Sequence, residues 1–314
     1  MSKIAFVFPG QGSQKVGMAS EFIGNGAAFS SFADEADSRL GIELSKLMQD
    51  GPQEELTLTY HAQPALLTAG AAIDAALKEA GIRPDYAAGH SLGEYSALVS
   101  AGVLSFGDAA ETVHRRGLYM NEAVPAGEGS MAAILGLGAE ELQRVTEDVT
   151  GEGHPVQPAN LNCPGQIVIS GSKRGVELAC EAAKAAGAKR AIPLDVSGPF
   201  HSTLMKPAAQ KLQAQLDSVG FGQAIFPVVA NVTAEPVRDP EQTKQLLVEQ
   251  LYSPVRWEES VRKMLDLGVT LFIECGPGGV LSGLIRKIDR SATVLRVEDM
   301  ETLNKAVETA KGWS

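Results

Sequence analysis

Gly89-His90-Ser91-Leu92-Gly93 lies between a short apolar approach, Tyr86-Ala87-Ala88, and a stretch of helix-forming composition, Glu94 to Ala101. Strand, tight glycine-bounded turn and helix follow one another, with a serine at the apex. A Gly-x-Ser-x-Gly elbow of this kind raises the serine hydroxyl above the edge of a sheet. Its glycines leave room for a backbone reversal that a Cβ would crowd. The serine also stands at a helix N-terminus, where free N–H groups and the helix dipole favour developing negative charge.

Upstream, Ile4-Ala5-Phe6-Val7-Phe8 is a continuous apolar, β-prone run that reads as a buried strand of a parallel sheet. Pro9-Gly10-Gln11-Gly12-Ser13-Gln14 ends it. As a phosphate cradle this loop is incomplete, because Lys15 stands where the third glycine of a dinucleotide fingerprint belongs. As a donor loop it fits better. An elbow enzyme takes one oxyanion donor from the residue after the nucleophile and one from a second strand–helix loop, and Gln11 can supply that second N–H.

The chain has 314 residues, 44% hydrophobic and 21% charged, with a formal net charge of −11. That is the composition of a globular protein, and the acidic balance argues against non-specific nucleic-acid binding. Cys163, Cys180 and Cys275 are odd in number and far apart, as expected for reduced thiols in a cytoplasmic protein. No secretory leader is read from the first residues, and no apolar run is long enough to span a bilayer.

Downstream, Gln63 to Glu79 is expected to be an Ala-rich helix, and Ser105 to cap a helix over Phe106 to Asn121. That helix carries His114, Arg115 and Arg116; the general expectation for such arginines is a solvated face. Residues 125–196 change rhythm. Strands over Met131–Leu135, Val156–Leu161, Gln166–Ser170 and Arg190–Val196 and helices over Ala139–Val149 and Arg174–Ala186 give the order βαββαβ, a ferredoxin-like insert. We therefore expect residues 1–124 and 197–314 to form one α/β hydrolase-like domain on a parallel sheet, interrupted by this small subdomain. Beyond it lie a helix from Leu204 to Asp217, a strand over Phe226–Ala230, helices over Pro240–Leu251 and Trp257–Leu267, and strands over Thr270–Glu274 and Thr293–Arg296.

A serine hydroxyl needs a base. Of five histidines, His201 is best placed, in a Gly-Pro-bounded loop just after the chain leaves the insert, and Ser-before-His is the hydrolase order. His90 points away along the turn. Asp195 is near in sequence, but no third member is evident; a thiol leaving group, with a pKa of about 8.5, departs with little protonation, so a backbone carbonyl can suffice to orient the ring. These residues serve a thioesterase or carboxylesterase as well as an acyltransferase.

Six motifs together go further: Pro9-Gly10-Gln11-Gly12-Ser13-Gln14, Gly89-His90-Ser91-Leu92-Gly93-Glu94-Tyr95, Arg115-Arg116-Gly117, Asn160-Leu161-Asn162-Cys163-Pro164-Gly165-Gln166, Gly198-Pro199-Phe200-His201-Ser202 and Leu251-Tyr252-Ser253-Pro254-Val255. In this order the chain resembles the malonyl-CoA:acyl carrier protein transacylases of bacterial-type fatty acid synthesis over essentially its whole length. Cys163 and Ser253 depart from the family pattern, where serine and asparagine are familiar. The resemblance implies Ser91 as acylated nucleophile, His201 as base, the N–H groups of Gln11 and Leu92 as oxyanion hole, and Arg116 as clamp for the malonyl carboxylate. It places Gln250 beside His201, with a backbone carbonyl orienting the ring, and His90, Asn162 and Phe200 around the substrate. It implies malonyl-CoA and acyl carrier protein as partners, with no cofactor or metal, in fatty acid or polyketide synthesis. A monomer with neither nucleic-acid nor membrane partners is expected. Lys173, Arg174, Lys184, Lys189 and Arg190 against Glu177 and Glu181 give the insert a basic stretch suited to an acidic carrier.

Overall fold

The computed structural model describes residues 2–24 and 26–313. Across them run the strands β1 (Lys3–Phe8), β2 (Tyr86–Gly89), β3 (Gly129–Leu135), β4 (Val156–Cys163), β5 (Gln166–Ser172), β6 (Arg190–Pro193), β7 (Val228–Val229), β8 (Pro236–Val237), β9 (Val269–Cys275) and β10 (Thr293–Val297). The larger sheet has the order β10-β9-β1-β2-β7-β8 and is parallel except for β8. Its central strands read as apolar runs because both faces are covered. Phe6 and Phe8 face one core cluster with the helix Thr59–Glu79, while Ala5 and Val7 face a second with Trp257 and Ile285.

Residues 129–193 supply a separate antiparallel sheet of order β4-β5-β3-β6, with the helices Ala139–Gly151 and Lys173–Ala185 packed on it. In the order of these four strands that is 2-3-1-4, the arrangement of a split βαβ unit. The molecule is thus a mixed α/β protein with a parallel-sheet core and a smaller antiparallel sheet. A bridge between Asn160 and Val255 joins the two parts.

Several boundaries differ from expectation, each for a local reason. The helix expected from Gln63 begins at Thr59, with Pro64 inside it. Proline cannot donate to the carbonyl four residues back; that carbonyl, on Tyr60, instead accepts from His114 Nδ1 at 2.7 Å. Strand β6 stops at Pro193, three residues short, where the chain is largely exposed at a sheet edge. The strand expected over Phe226–Ala230 narrows to Val228–Val229, between Pro227, which has no N–H, and Asn231, whose N–H goes to Glu94. Elements beyond those expected include β8, and the helix Met300–Lys311, which a capping box at Asp299 and Thr302 begins.

The register Phe8↔Gly89 brings the carboxyl ends of β1 and β2 level. Ligands of open parallel sheets bind at that edge.

Candidate functional site

The elbow is built by close approach. A Cβ on Gly89 would lie 1.8 Å from the Gly93 carbonyl carbon, and one on Gly93 would lie 2.0 Å from Phe8 O. Neither position tolerates a side chain. The unusual backbone angle falls on Ser91 itself, with φ 51° and ψ −106°. A non-glycine residue there is strained, and the strain turns the hydroxyl toward the cleft. A Cβ on Gly10 would lie 2.4 Å from His90 O, so the loop after β1 presses against the elbow. Among the described residues, no acceptor is found for the N–H of Gln11 or of Leu92. Those are the two donors an oxyanion needs.

His201 Nε2 lies 2.8 Å from Ser91 Oγ, and His201 Nδ1 lies 2.7 Å from Gln250 O. A carbonyl only accepts, so Nδ1 carries the proton and the Nε2 lone pair faces the serine hydroxyl. The ring is 3% exposed. Burial, helped by the Arg116 charge, pushes the His201 pKa down to about 3. The imidazole is therefore neutral, as a base must be at the start. Asp195 lies in the wall of the cleft, while the contact to Nδ1 comes from the backbone carbonyl.

Arg115 and Arg116 part company. Arg115 pairs with Glu111 on the surface at 2.8 Å, as expected of a solvated arginine. Arg116 is 0% exposed. Its Nη2 donates to Ser91 Oγ at 3.0 Å and to Gln250 Oε1 at 2.9 Å, and its Nη1 donates to Gln63 Oε1 at 2.7 Å. The guanidinium carbon stands 5.5 Å from the centre of the Tyr95 ring. Gly117 allows this depth: a Cβ there would lie 2.5 Å from Tyr60 Cα, so the helix Phe106–Glu122 backs directly against Thr59–Glu79. Burial lowers the Arg116 pKa, but a guanidinium stays charged in a protein. A buried carboxylate is reached through an amide: Gln250, which accepts from Arg116, donates by Nε2 to Glu94 Oε2 at 2.7 Å.

Ser91, Leu92, Gln11, His90, Arg116, Phe200 and His201 share a cleft of about 200 Å³, with Gln63, Met120, Met131 and Val196 among its other walls. Gln250 is fully buried behind it. Asn162 stands off the cleft, with Oδ1 2.8 Å from His90 Nε2, and His90 itself leans on the Trp257 ring. Three residues that touch this centre escaped the sequence reading: Gln63, Glu94 and Asn231. Glu94 had a readable signal, a carboxylate in the first turn of an otherwise apolar helix. Gln63 and Asn231 gave none, since only the tertiary fold brings them here.

Comparison with known proteins bears on the chain as a whole. The acyl transferase domain family matches residues 5–307. The malonyl CoA-acyl carrier protein transacylase of Bacillus subtilis strain 168 is 60% identical over 311 residues, covering 99% of this chain and 98% of the relative. The solved transacylase of that name from Coxiella burnetii superposes with a TM-score of 0.95 at 42% identity, over 98% of this chain and 97% of its own. A chain of a solved complex, described as a type II PKS acyl-carrier protein in complex with its malonyl-transacylase, also matches, with a TM-score of 0.95 at 47% identity, over 98% of this chain and 100% of that one. An acyl transferase match over almost the whole chain, and 60% identity to a curated relative along its full length, leave one assignment: the chain belongs to the malonyl CoA-acyl carrier protein transacylase family.

Proposed function

We propose that this protein carries a malonyl group from CoA to the phosphopantetheine thiol of acyl carrier protein through a malonyl ester on Ser91. The observation that carries the reading is a buried guanidinium 3.0 Å from a hydroxyl that is itself 2.8 Å from a neutral imidazole. A hydrolase of neutral acyl groups has no use for that cation. An acid-bearing thioester does.

In the first half-reaction His201 Nε2 takes the Ser91 proton as Oγ attacks the thioester carbonyl. The N–H groups of Gln11 and Leu92 receive the oxyanion. The tetrahedral intermediate collapses, the C–S bond breaks, and the CoA sulfur leaves with the proton held by His201. The carrier thiol then repeats these steps in reverse, so turnover is ping-pong. Arg116 holds the malonyl carboxylate by its planar fork. An acetyl group leaves that buried charge unpaired, which costs roughly several kcal/mol. The carboxylate has a second effect: it offsets the positive charge that holds down the basicity of His201, so selectivity falls on the chemical step as well as on binding. Phe200, 6% exposed, closes the wall near the substrate α-carbon and disfavours α-methyl malonyl groups. His90 and Asn162 act from the side, bracing the elbow through their own contact.

The same reading divides the chain into a catalytic part, residues 1–124 with 197–314, and an insert, residues 125–196, whose exposed Lys189 and Arg190 meet the acidic carrier. It assigns no cofactor and no metal. Among the described residues no group of three or more His, Cys, Asp or Glu is disposed to hold an ion, and no helix is long and apolar enough to cross a membrane. The three cysteines are free thiols, which suits a cytoplasmic site of action.

Intact-mass measurement after malonyl-CoA, then after carrier addition, tests the reading. One malonyl group on the wild type, none on Ser91→Ala, and its passage to the carrier thiol are expected. A malonyl ester that water clears as fast as the carrier does would make the protein a thioesterase instead.

A further inference from the structure

Two side chains remote in sequence, Asn231 and Gln250, close around the peptide groups of the elbow, and Glu94 of the elbow's own helix ties them together. Ser91 N–H donates to Asn231 Oδ1 at 2.8 Å, and Asn231 Nδ2 donates to Gly89 O at 2.7 Å. Gln250 Nε2 donates to Ser91 O at 3.1 Å. Glu94 Oε2 in turn accepts from Asn231 N at 3.1 Å and from Gln250 Nε2 at 2.7 Å. Asn231 is 1% exposed, Glu94 2% and Gln250 0%. The strained residue thus has both of its backbone polar groups held by side chains remote in sequence. An isolated Ser91 at φ 51° would relax toward negative φ, swinging Oγ away from His201.

We propose that Asn231, seated on Glu94, is the positioning residue that holds the elbow in its strained form. The proposal rests on Ser91 being the nucleophile. Asn231 touches no substrate; it acts through the peptide groups on either side of His90. Among the described residues, its carboxamide is the one side chain that accepts from Ser91 N–H and donates to Gly89 O at once. Those two bonds fix the turn that aims Oγ at the imidazole and presents Leu92 N–H to the oxyanion. The assignment gives the two-residue strand β7 a purpose: it carries the chain alongside β2 and delivers residue 231 beneath the turn.

The test uses the full-length protein, malonyl-CoA and single-turnover acylation. Asn231→Ala removes both bonds, and its acylation rate constant is expected to fall about 100-fold, the order seen when one oxyanion donor is lost. Half-saturation with malonyl-CoA is expected to stay within about 2-fold, because the thioester and Arg116 contacts are untouched. Asn231→Asp separates positioning from packing. Ionised, it keeps the acceptor for Ser91 N–H but sets a carboxylate oxygen against Gly89 O; protonated, it restores a donor there. The titratable and charged groups facing it are Glu94, His201 and Arg116, all present in the wild type, so the readout is the ratio of mutant to wild-type rate. That ratio is expected to rise at least 10-fold from pH 8 to pH 5. A flat ratio, or a folded Asn231→Ala acylating within 3-fold of wild type, overturns the proposal; if Asn231→Ala does not fold, the Asp ratio alone decides. Ser91→Ala run alongside keeps the two readings apart. If it still takes the malonyl group, the nucleophile is misassigned; if it is dead while the Asn231 variants behave as wild type, only the clamp is wrong.

Discussion

Two strand-to-helix junctions stand at the same edge of the parallel sheet, and they spend their backbone differently. At the first, β2 passes through Ser91 into the helix Leu92–Ser100; at the second, β9 passes through Gly276-Pro277-Gly278-Gly279 into Val280–Ile288. The second junction puts its positive φ angles on glycines: Gly276 at 150°, Gly278 at 93° and Gly279 at 67°. It then consumes the helix N-terminus, because the buried Glu274 carboxylate accepts from Leu281 N at 3.1 Å, Ser282 N at 2.8 Å and Ser282 Oγ at 2.6 Å. The first junction loads the strain onto a residue with a hydroxyl and leaves the Leu92 N–H free for a ligand. Its own buried acid, Glu94, turns inward to Asn231 and Gln250 instead. A strand–helix turn becomes a site when its donors are left unspent and its bend carries a functional group. Filled, the same turn is only a joint.

The largest way to break the contrast is at the glycines. Gly93→Ala drives a Cβ into Phe8 O at 2.0 Å and is expected to unfold the elbow, costing more than about 4 kcal/mol and all transfer, as urea titration and malonyl loading will show. Gly278→Ala meets nothing closer than 3.6 Å and suffers only its positive φ, so about 1 kcal/mol and unchanged acylation are expected. Arg116→Lys keeps the charge but loses the fork; malonyl transfer is expected to fall about 100-fold and the malonyl-to-acetyl preference to narrow, read from paired kcat/KM values.

A subtler pair of substitutions compares the buried acids. Burial raises the Glu94 pKa to about 7, above the ordinary carboxyl value of about 4.3. The folded state then holds a proton that the unfolded chain has released, so stability falls as pH rises through that window, by up to about 1.4 kcal/mol per unit. Glu94→Gln is expected to flatten that slope in urea titrations at pH 5, 6 and 7. It also isolates His201: with a pKa near 3, the imidazole stays neutral down to pH 5. Acylation by Glu94→Gln is therefore expected to be level from pH 8 to pH 5, where a histidine of ordinary pKa would lose about 30-fold. Glu274→Gln, which strips charge from the inert junction, is expected to cost about 1–2 kcal/mol in Tm-derived stability and to leave acylation alone.

The smallest effect concerns the partner. Charge reversal at Lys189 and Arg190 is expected to raise the KM for carrier about 3-fold at low salt and not that for malonyl-CoA. Charge reversal at Lys287, in the last turn of the inert junction's helix, serves as the matched control.

What the sequence made legible follows from how local each feature is. The elbow, the loop after β1 and the Ser105 cap are short-range patterns with a steric or hydrogen-bond cause inside a few residues. The fold class followed from apolar runs at β1 and β9 and from the alternation between 129 and 193. The helix Met300–Lys311 is equally legible, with Leu303, Ala306 and Ala310 on its buried face and Asp299 capping it. Gln63 and Asn231 were not legible: each is an amide among ordinary neighbours until helix packing or a two-residue strand delivers it. Arg116 lay between. Beside Arg115 on one helix it had the same local character, and only its place in a motif, not composition or periodicity, set it apart.

Gln250 does two jobs by two routes. Its side chain meets Arg116, Glu94 and the Ser91 carbonyl, whereas the contact that orients His201 comes from its main chain. The orienting oxygen is thus encoded by the path of the chain and not by any residue name. An alanine scan across this protein will score position 250 for its amide and remain blind to the imidazole's anchor, which every amino acid there supplies alike. Only a change of covalent linkage at that peptide, or a shift of the helix that ends there, can take it away.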